Sequence, residues 1–183
     1  VEGNFSRQEI IVPRKTVIEL SKLLAETDDP ITIDILANQV RFSFGNIELT
    51  SKVIDGKFPD YNRVIPTAHS KIITLDRLLL LHTLQRAAIL SNERFRGVRV
   101  GLHPGALKIA CTNNEQEEAE EEIEVAYEGA AVDIGFNINY LLDALATLSS
   151  NEITIALQDS SASALFTVPG RTDFKYVVMP MRI

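Results

Sequence analysis

One pattern recurs three times along the 183 residues and constrains the fold more than any single side chain. A short apolar strand leads into an amphipathic helix, and three further strands follow. The helices open near Arg14, Asp76 and Asn137, so successive units start roughly 62 residues apart, a period that marks a chain built by stacking like modules. Strands outnumber helices about four to one, which points to an α+β architecture with mostly antiparallel sheets. Two such modules side by side would bury their helices' apolar faces together over one continuous sheet surface. A third module is left with an apolar helix face and a sheet edge that want a partner. The expected division is one complete domain over 67–183 and half of another over 1–66. The odd module predicts that the chain is part of a longer one, and Val1 in place of a methionine that it is either processed or cut from something longer.

The elements follow from periodicity and punctuation. Glu9–Val12 reads as a strand and Arg14–Glu26 as a helix, with Pro13 at its start and Val17, Leu20 and Leu24 at helical spacing. Ile31–Leu36, Val40–Phe44 and Ile47–Ser51 read as strands, the last two joined across Gly45-Asn46. The second module begins with a strand at Lys71–Thr74 and a helix over Asp76–Leu90, for which Thr74 is the expected cap. Gly97–Leu102 and Ala106–Cys111 flank the turn His103-Pro104-Gly105, and Ile123–Tyr127 follows. In the third, Val132–Phe136 precedes a helix capped by Asn137, whose Ile138, Leu141, Leu142, Leu145 and Leu148 give the cleanest amphipathic pattern in the chain. Glu152–Leu157, Ala162–Val168 and Phe174–Met179 complete it.

The net charge of −7 has one location. Glu115, Glu117, Glu118, Glu120, Glu121, Glu122 and Glu124 supply it, and the remaining 18 acidic residues balance the 18 basic ones. The run reads either as a solvated loop leading into a strand or as a docking surface for a basic partner. It lacks the alternating Asp/Asn/Gly spacing of a calcium loop, and no His or Cys joins it, which argues against a metal.

Catalytic constellations are not visible. His69, His82 and His103 fall in a loop, a helix and a turn. Neither a nucleophile elbow nor a phosphate-binding glycine loop nor a metal-ligand spacing occurs, so neither a metal nor a cofactor is expected. Asp133, Asp143 and Asp159 fit strand alternation and exposure better than an acid pair. The lone Cys111 lies in a strand-like run and reads as a buried small hydrophobe in a reducing compartment. No apolar run has membrane-spanning length, and no signal peptide opens the sequence.

Four motifs stand in order along this layout: Asp55–Pro66 (DGKFPDYNRVIP), Ala87–Arg99 (AAILSNERFRGVR), Glu115–Glu122 (EQEEAEEE) and Tyr176–Ile183 (YVVMPMRI). With them the chain resembles the bacterial DNA polymerase III beta subunit, the sliding clamp family, over essentially its whole length. The resemblance implies the clamp fold, one and a half of its three domains, and no catalysis. Two full-length chains of that family form a homodimeric ring around DNA, which it tethers to polymerase. It also implies a bacterial, cytoplasmic, nucleoid-associated protein.

The resemblance carries three sets of residues onto this sequence. The first is an apolar cleft for linear peptides of the DNA polymerase III alpha subunit, the clamp loader delta subunit, other polymerases and repair proteins. It maps to Pro59, Arg63, Val64, Asn137, Tyr140, Ser161, Ser163, Val177, Met179, Pro180, Met181 and Arg182. Methionines suit such a site because they mould to several leucine- or phenylalanine-bearing peptides. The second is the ring interface, mapping to Ile89 and Leu90 with Glu115, Glu117, Glu118, Glu120 and Glu121. The plain alternative for Ile89-Leu90 is a buried helix end. The third is a non-specific DNA-facing set of Arg14, Lys15, Lys22, Arg77 and Arg86, which could equally be solvated helix charges. Two rivals remain from other classes: a peptide-binding adaptor that never encircles DNA, and a hydrolase with an unrecognised site.

Overall fold

The computed structural model describes residues 8–25, 27–58 and 60–183. They fall into two compact units, Val1–Asp60 and Tyr61–Ile183. The division lies six residues before the one read from the sequence, because the 3-10 turn Tyr61–Arg63 belongs to the second unit.

The first unit carries α1 (Arg14–Leu24) and an antiparallel meander of β1 (Thr32–Ile35), β2 (Gln39–Phe44) and β3 (Ile47–Lys52), in that order across the sheet. β2 alternates strictly. Val40, Phe42 and Phe44 are buried, and Leu20, Leu23 and Leu24 of α1 pack against them. Gly45, at φ +50°, closes the β2–β3 hairpin at the expected position. The expected strand Glu9–Val12 reduces to one bridge, in which the Ile54 amide donates to the Ile11 carbonyl at 2.8 Å. The end of the expected helix at Glu26 lies outside the described residues. No residue of α1 is fully buried, and Ile33 of β1 is 56% exposed, so this module covers only part of its own apolar surface.

The second unit contains β4 (Lys71–Asp76), α2 (Arg77–Ala88), β5 (Gly97–His103), β6 (Ala106–Thr112), β7 (Glu118–Glu124) and β8 (Val132–Asn137). It continues with α3 (Ile138–Ala146), β9 (Glu152–Leu157), β10 (Ala164–Thr167) and β11 (Tyr176–Val178). One continuous sheet surface was the expectation from pairing two modules. Instead there are two four-stranded antiparallel sheets, ordered β11-β10-β9-β4 and β7-β6-β5-β8. Each module lends its first strand to the other module's sheet: β4 pairs with β9, and β8 with β5. Exchanging strands ties the modules by backbone hydrogen bonds as well as by apolar burial. α2 and α3 pack on each other, and a single core runs through the unit, with Leu84, Leu107, Ile134, Phe136, Leu145 and Ile153 almost wholly buried.

Two local expectations are corrected. Asp76, and not Thr74, caps α2, its Oδ1 accepting from the Leu79 amide at 2.6 Å. Thr74 remains within β4, where its hydroxyl meets that of Thr154 at 2.8 Å. The acidic run is itself a strand and does not lead into one at Ile123–Tyr127. In β7, Glu118, Glu120, Glu122 and Glu124 face solvent, while Ala119, Glu121 and Ile123 turn toward α2. The whole strand pairs with β6, where Lys108 stands opposite Glu122 with its Nζ 3.6 Å from the carboxylate. Asn113 starts it, its side-chain oxygen accepting from the Glu115 and Glu117 amides. Gln116 takes the left-handed turn at φ +62°.

Candidate functional site

Eleven of the twelve residues assigned to a peptide cleft fall in the second unit, and Pro59 lies outside the described residues. Arg63 ends the 3-10 turn, and the Val64 amide donates back to Tyr61 at 3.1 Å, leaving the Val64 side chain 56% exposed. Asn137 ends β8 and caps α3 through a 3.0 Å hydrogen bond from the Asn139 amide. Its partner Tyr140 stands one turn further on and is 55% exposed, because the amphipathic face of α3 buries Ile138, Leu141, Ala144 and Leu145 and turns Tyr140 outward.

The C-terminal segment lies beside this helix. α3 packs on β11, which contains Val177. The neighbouring Tyr176 hydroxyl has its pKa raised, first by burial and then by the charges of Asp143 and Tyr140. Val177 pairs with Leu165 and is half-buried. Beyond the strand Met179 is 71% exposed. Met181 is half-buried, and its amide donates to the Gly135 carbonyl at 2.8 Å. Ser161 and Ser163 lie in the turn before β10. The Asp159 carboxylate shapes that turn, accepting from the Ser161 hydroxyl and amide and the Ala162 amide at 2.7–2.9 Å. Those bonds, led by the Ser161 hydroxyl, hold Asp159 below the usual carboxylate range. The structure therefore sets α3, which begins after Asn137 and carries Tyr140, against β11, which contains Val177, and the Met179–Arg182 tail runs on from that strand.

Residues to which the sequence reading gave no site role, Phe95, Arg99, Ala110 and Ile183, complete the surroundings. A groove of about 470 Å³ opens beside the tail, lined by Phe95, Arg99, Ala110, Glu118, Met181 and Ile183 among others. Phe95 is 58% exposed, with the Arg94 guanidinium 5.4 Å from its ring centre. Gly97 and Gly135 lie under the tail. The available signal for both was a lone glycine inside a strand pattern, which marks close approach of another chain segment.

The residues assigned to a ring interface lie just after α2 and in β7 with the turn before it. Ile89, immediately after α2, is 79% exposed, so it is no buried helix end, while Leu90 is half-buried. Glu118 and Glu120 lie along β7, an edge strand of its sheet, and Glu115 and Glu117 in the turn before it. Glu121 differs from these. Arg86 binds it at two points, Nε to Oε1 and Nη2 to Oε2.

The cations divide likewise. Arg14, Lys15 and Lys22 are exposed on α1, with Lys22 3.3 Å from Glu19. Arg86 is engaged by Glu121. Arg77 is engaged by the backbone: its Nε donates to the Ser150 carbonyl at 2.6 Å and its Nη1 to that of Leu145 at 2.9 Å. Among the described residues no group of His, Cys, Asp and Glu is placed to hold a metal ion, and no helix is long and apolar enough to cross a membrane.

This geometry has counterparts among known proteins. The family model for the DNA polymerase III beta subunit, C-terminal domain, matches residues 62–182, and that for its central domain matches 1–60. The Beta sliding clamp of Pseudomonas putida is 47% identical over 177 residues, which are 97% of this chain and 48% of that protein. The Beta sliding clamp of Escherichia coli K12 is 45% identical over 174 residues, 95% of this chain and 48% of its own. The crystal structure of the DNA polymerase III subunit beta from Pseudomonas aeruginosa superposes with a TM-score of 0.92 at 46% identity, over 98% of this chain and 49% of that one. The chain thus spans about half the length of the curated relatives it matches.

Proposed function

The chain belongs to the DNA polymerase III beta subunit family, and on that footing we propose that it is the peptide-docking half of a polymerase processivity clamp. Its second unit presents a surface to short extended peptides carried by the DNA polymerase III alpha subunit, the clamp loader delta subunit, other polymerases and repair proteins. The observation that supports this most is the packing of α3, which turns Tyr140 outward at 55% exposure, on β11, which runs on to a Met179 that is 71% exposed. An unbranched methionine this exposed offers adaptable apolar contact to more than one partner. Asn137, Ser163, Arg63 and Arg182 supply polar groups to orient a peptide backbone, and Val64 and Pro180 extend the apolar wall.

In the full-length protein two chains close a ring about DNA. The free edge of β7, with Glu115, Glu117, Glu118 and Glu120 and the exposed Ile89, is the surface that meets the partner subunit. An apolar contact rimmed by like charge suits a basic complementary surface. Arg14, Lys15 and Lys22 face the phosphates without reading sequence. Arg77 and Arg86 contribute less, since both are already bonded within the protein. The protein works without catalysis, in the bacterial cytoplasm where the nucleoid is replicated. The dispersal of His69, His82 and His103 over a loop, α2 and β5 is in keeping with a non-catalytic role; His103 Nε2 lies 3.5 Å from the Asp133 carboxylate.

Fluorescence anisotropy with a labelled, extended peptide bearing leucine and phenylalanine tests the docking surface. Tyr140→Ala and Met179→Ala should each weaken binding about tenfold, equivalent to about 1.4 kcal/mol. Unchanged affinity in both variants would sink the assignment.

A further inference from the structure

The tail owes its path to two glycines. Met181–Ile183 cross the outer face of β5 and β8, where Gly97 stands opposite Asn137 and Gly135 opposite Arg99. Neither glycine adopts positive φ, so conformational freedom does not explain them, and room does. A Cβ on Gly97 would lie 2.5 Å from Ile183 Cγ2. A Cβ on Gly135 would strike the Met181 carbonyl oxygen and stand 2.7 Å from Ile183 Cγ1. The obstacle at Gly97 is thus the end of a side chain, whereas at Gly135 it includes backbone that cannot rotate away. The Met181 amide completes the seat through its hydrogen bond to the Gly135 carbonyl.

We propose that Gly97 and Gly135 are positioning residues that fix Met181 and Arg182 in the place where a peptide meets them. The inference rests on the docking function above. Gly135 and Asn137 share β8, and Asn137 caps the helix that presents Tyr140. A tail laid on this strand pair is therefore held in register with the aromatic side of the site. The seated tail also forms one wall of the groove that Phe95 and Arg99 line.

Two readouts test this: anisotropy of the leucine- and phenylalanine-bearing peptide, and hydrogen exchange of the Met181 amide. Gly135→Ala should speed that exchange and weaken the peptide about tenfold. Gly97→Ala should weaken it too, and adding Ile183→Ala should return affinity to that of Ile183→Ala alone, because the obstructing side chain is gone. Gly135→Ala should not be relieved in this way. If Gly135→Ala fails to fold, the Gly97–Ile183 pair decides the matter. A wild-type chain that binds no peptide overturns the docking function itself. A wild-type chain that binds, with Gly97→Ala equally tight or not relieved by Ile183→Ala, overturns the seat alone.

Discussion

Arg86 and Glu121 meet as a two-point ion pair, with both N···O distances at 2.7 Å, joining α2 to the acidic strand β7. The pair unites a residue expected to face DNA with one expected to face a partner subunit. It also explains why Glu121 is held below its usual range: the Arg86 hydrogen bonds favour its charged form.

A pH dependence follows, with its sign fixed by that shift. A carboxylate whose folded-state pKa is lowered adds stability above its ordinary value and loses that contribution as pH falls through the lowered one. The side chains of Arg86 and Glu121 are 53% and 27% exposed, so solvent screening keeps the effect small. Urea unfolding of wild type and Glu121→Gln should differ slightly at neutral pH and converge below the ordinary glutamate range. A gap that stays constant into acid would mean the loss comes from packing and not from charge.

Asp76→Ala should destabilise the second unit by about 1 kcal/mol through loss of the α2 cap. Thr74→Val should leave the cap intact, since its hydroxyl serves Thr154 instead. Denaturation midpoints of the two variants, compared at equal slope, check the assignment.

That correction shows what local sequence conveys. The start of helix α3 was legible to the residue, because its apolar spacing and Asn137 cap agree, whereas the spacing carried the expected helix on to Leu148 and the observed one ends at Ala146. Strand β7 was not, because glutamate has low strand propensity and the run reads as solvated; its pairing with Ala106–Thr112 is decided by alternation around Ile123 and by a partner strand distant from any local signal. The exchange of β4 and β8 between modules is a choice of partner that periodicity does not encode. The docking residues were reached by resemblance to a known family. Tyr140 and Met179 on their own would pass for an exposed helix residue and a strand end.

Arg77 separates structure from DNA binding. Arg77→Met removes the side-chain donors to the Ser150 and Leu145 carbonyls, of which Leu145 keeps the Leu148 amide, and should cost about 1–2 kcal/mol of stability. Lys15→Ala, on an exposed face, should leave stability unchanged. In a full-length chain the order reverses for retention on circular DNA, where Lys15→Ala should matter more. Retention lowered by Arg77→Met alone would return Arg77 to the DNA-facing set.

Cys111 is almost fully buried, and burial pushes its thiol up to about 11. A thiol without thiolate character is inert. Labelling by a thiol reagent at pH 8 should therefore follow unfolding of the second unit and be negligible in the native protein. Rapid labelling of the folded chain would contradict its place in the core.

The two methionines of the chain, Met179 and Met181, both lie in the tail, so a spectrum of methyl-labelled methionine reads the proposed docking surface and nothing else. Titration with the leucine- and phenylalanine-bearing peptide should move both resonances, saturating at the concentration at which anisotropy saturates, and Tyr140→Ala should shift that titration to higher peptide concentration. If the peptide binds while both methyl resonances stay in place, it docks elsewhere, and the tail and α3 are not the surface this protein offers its partners.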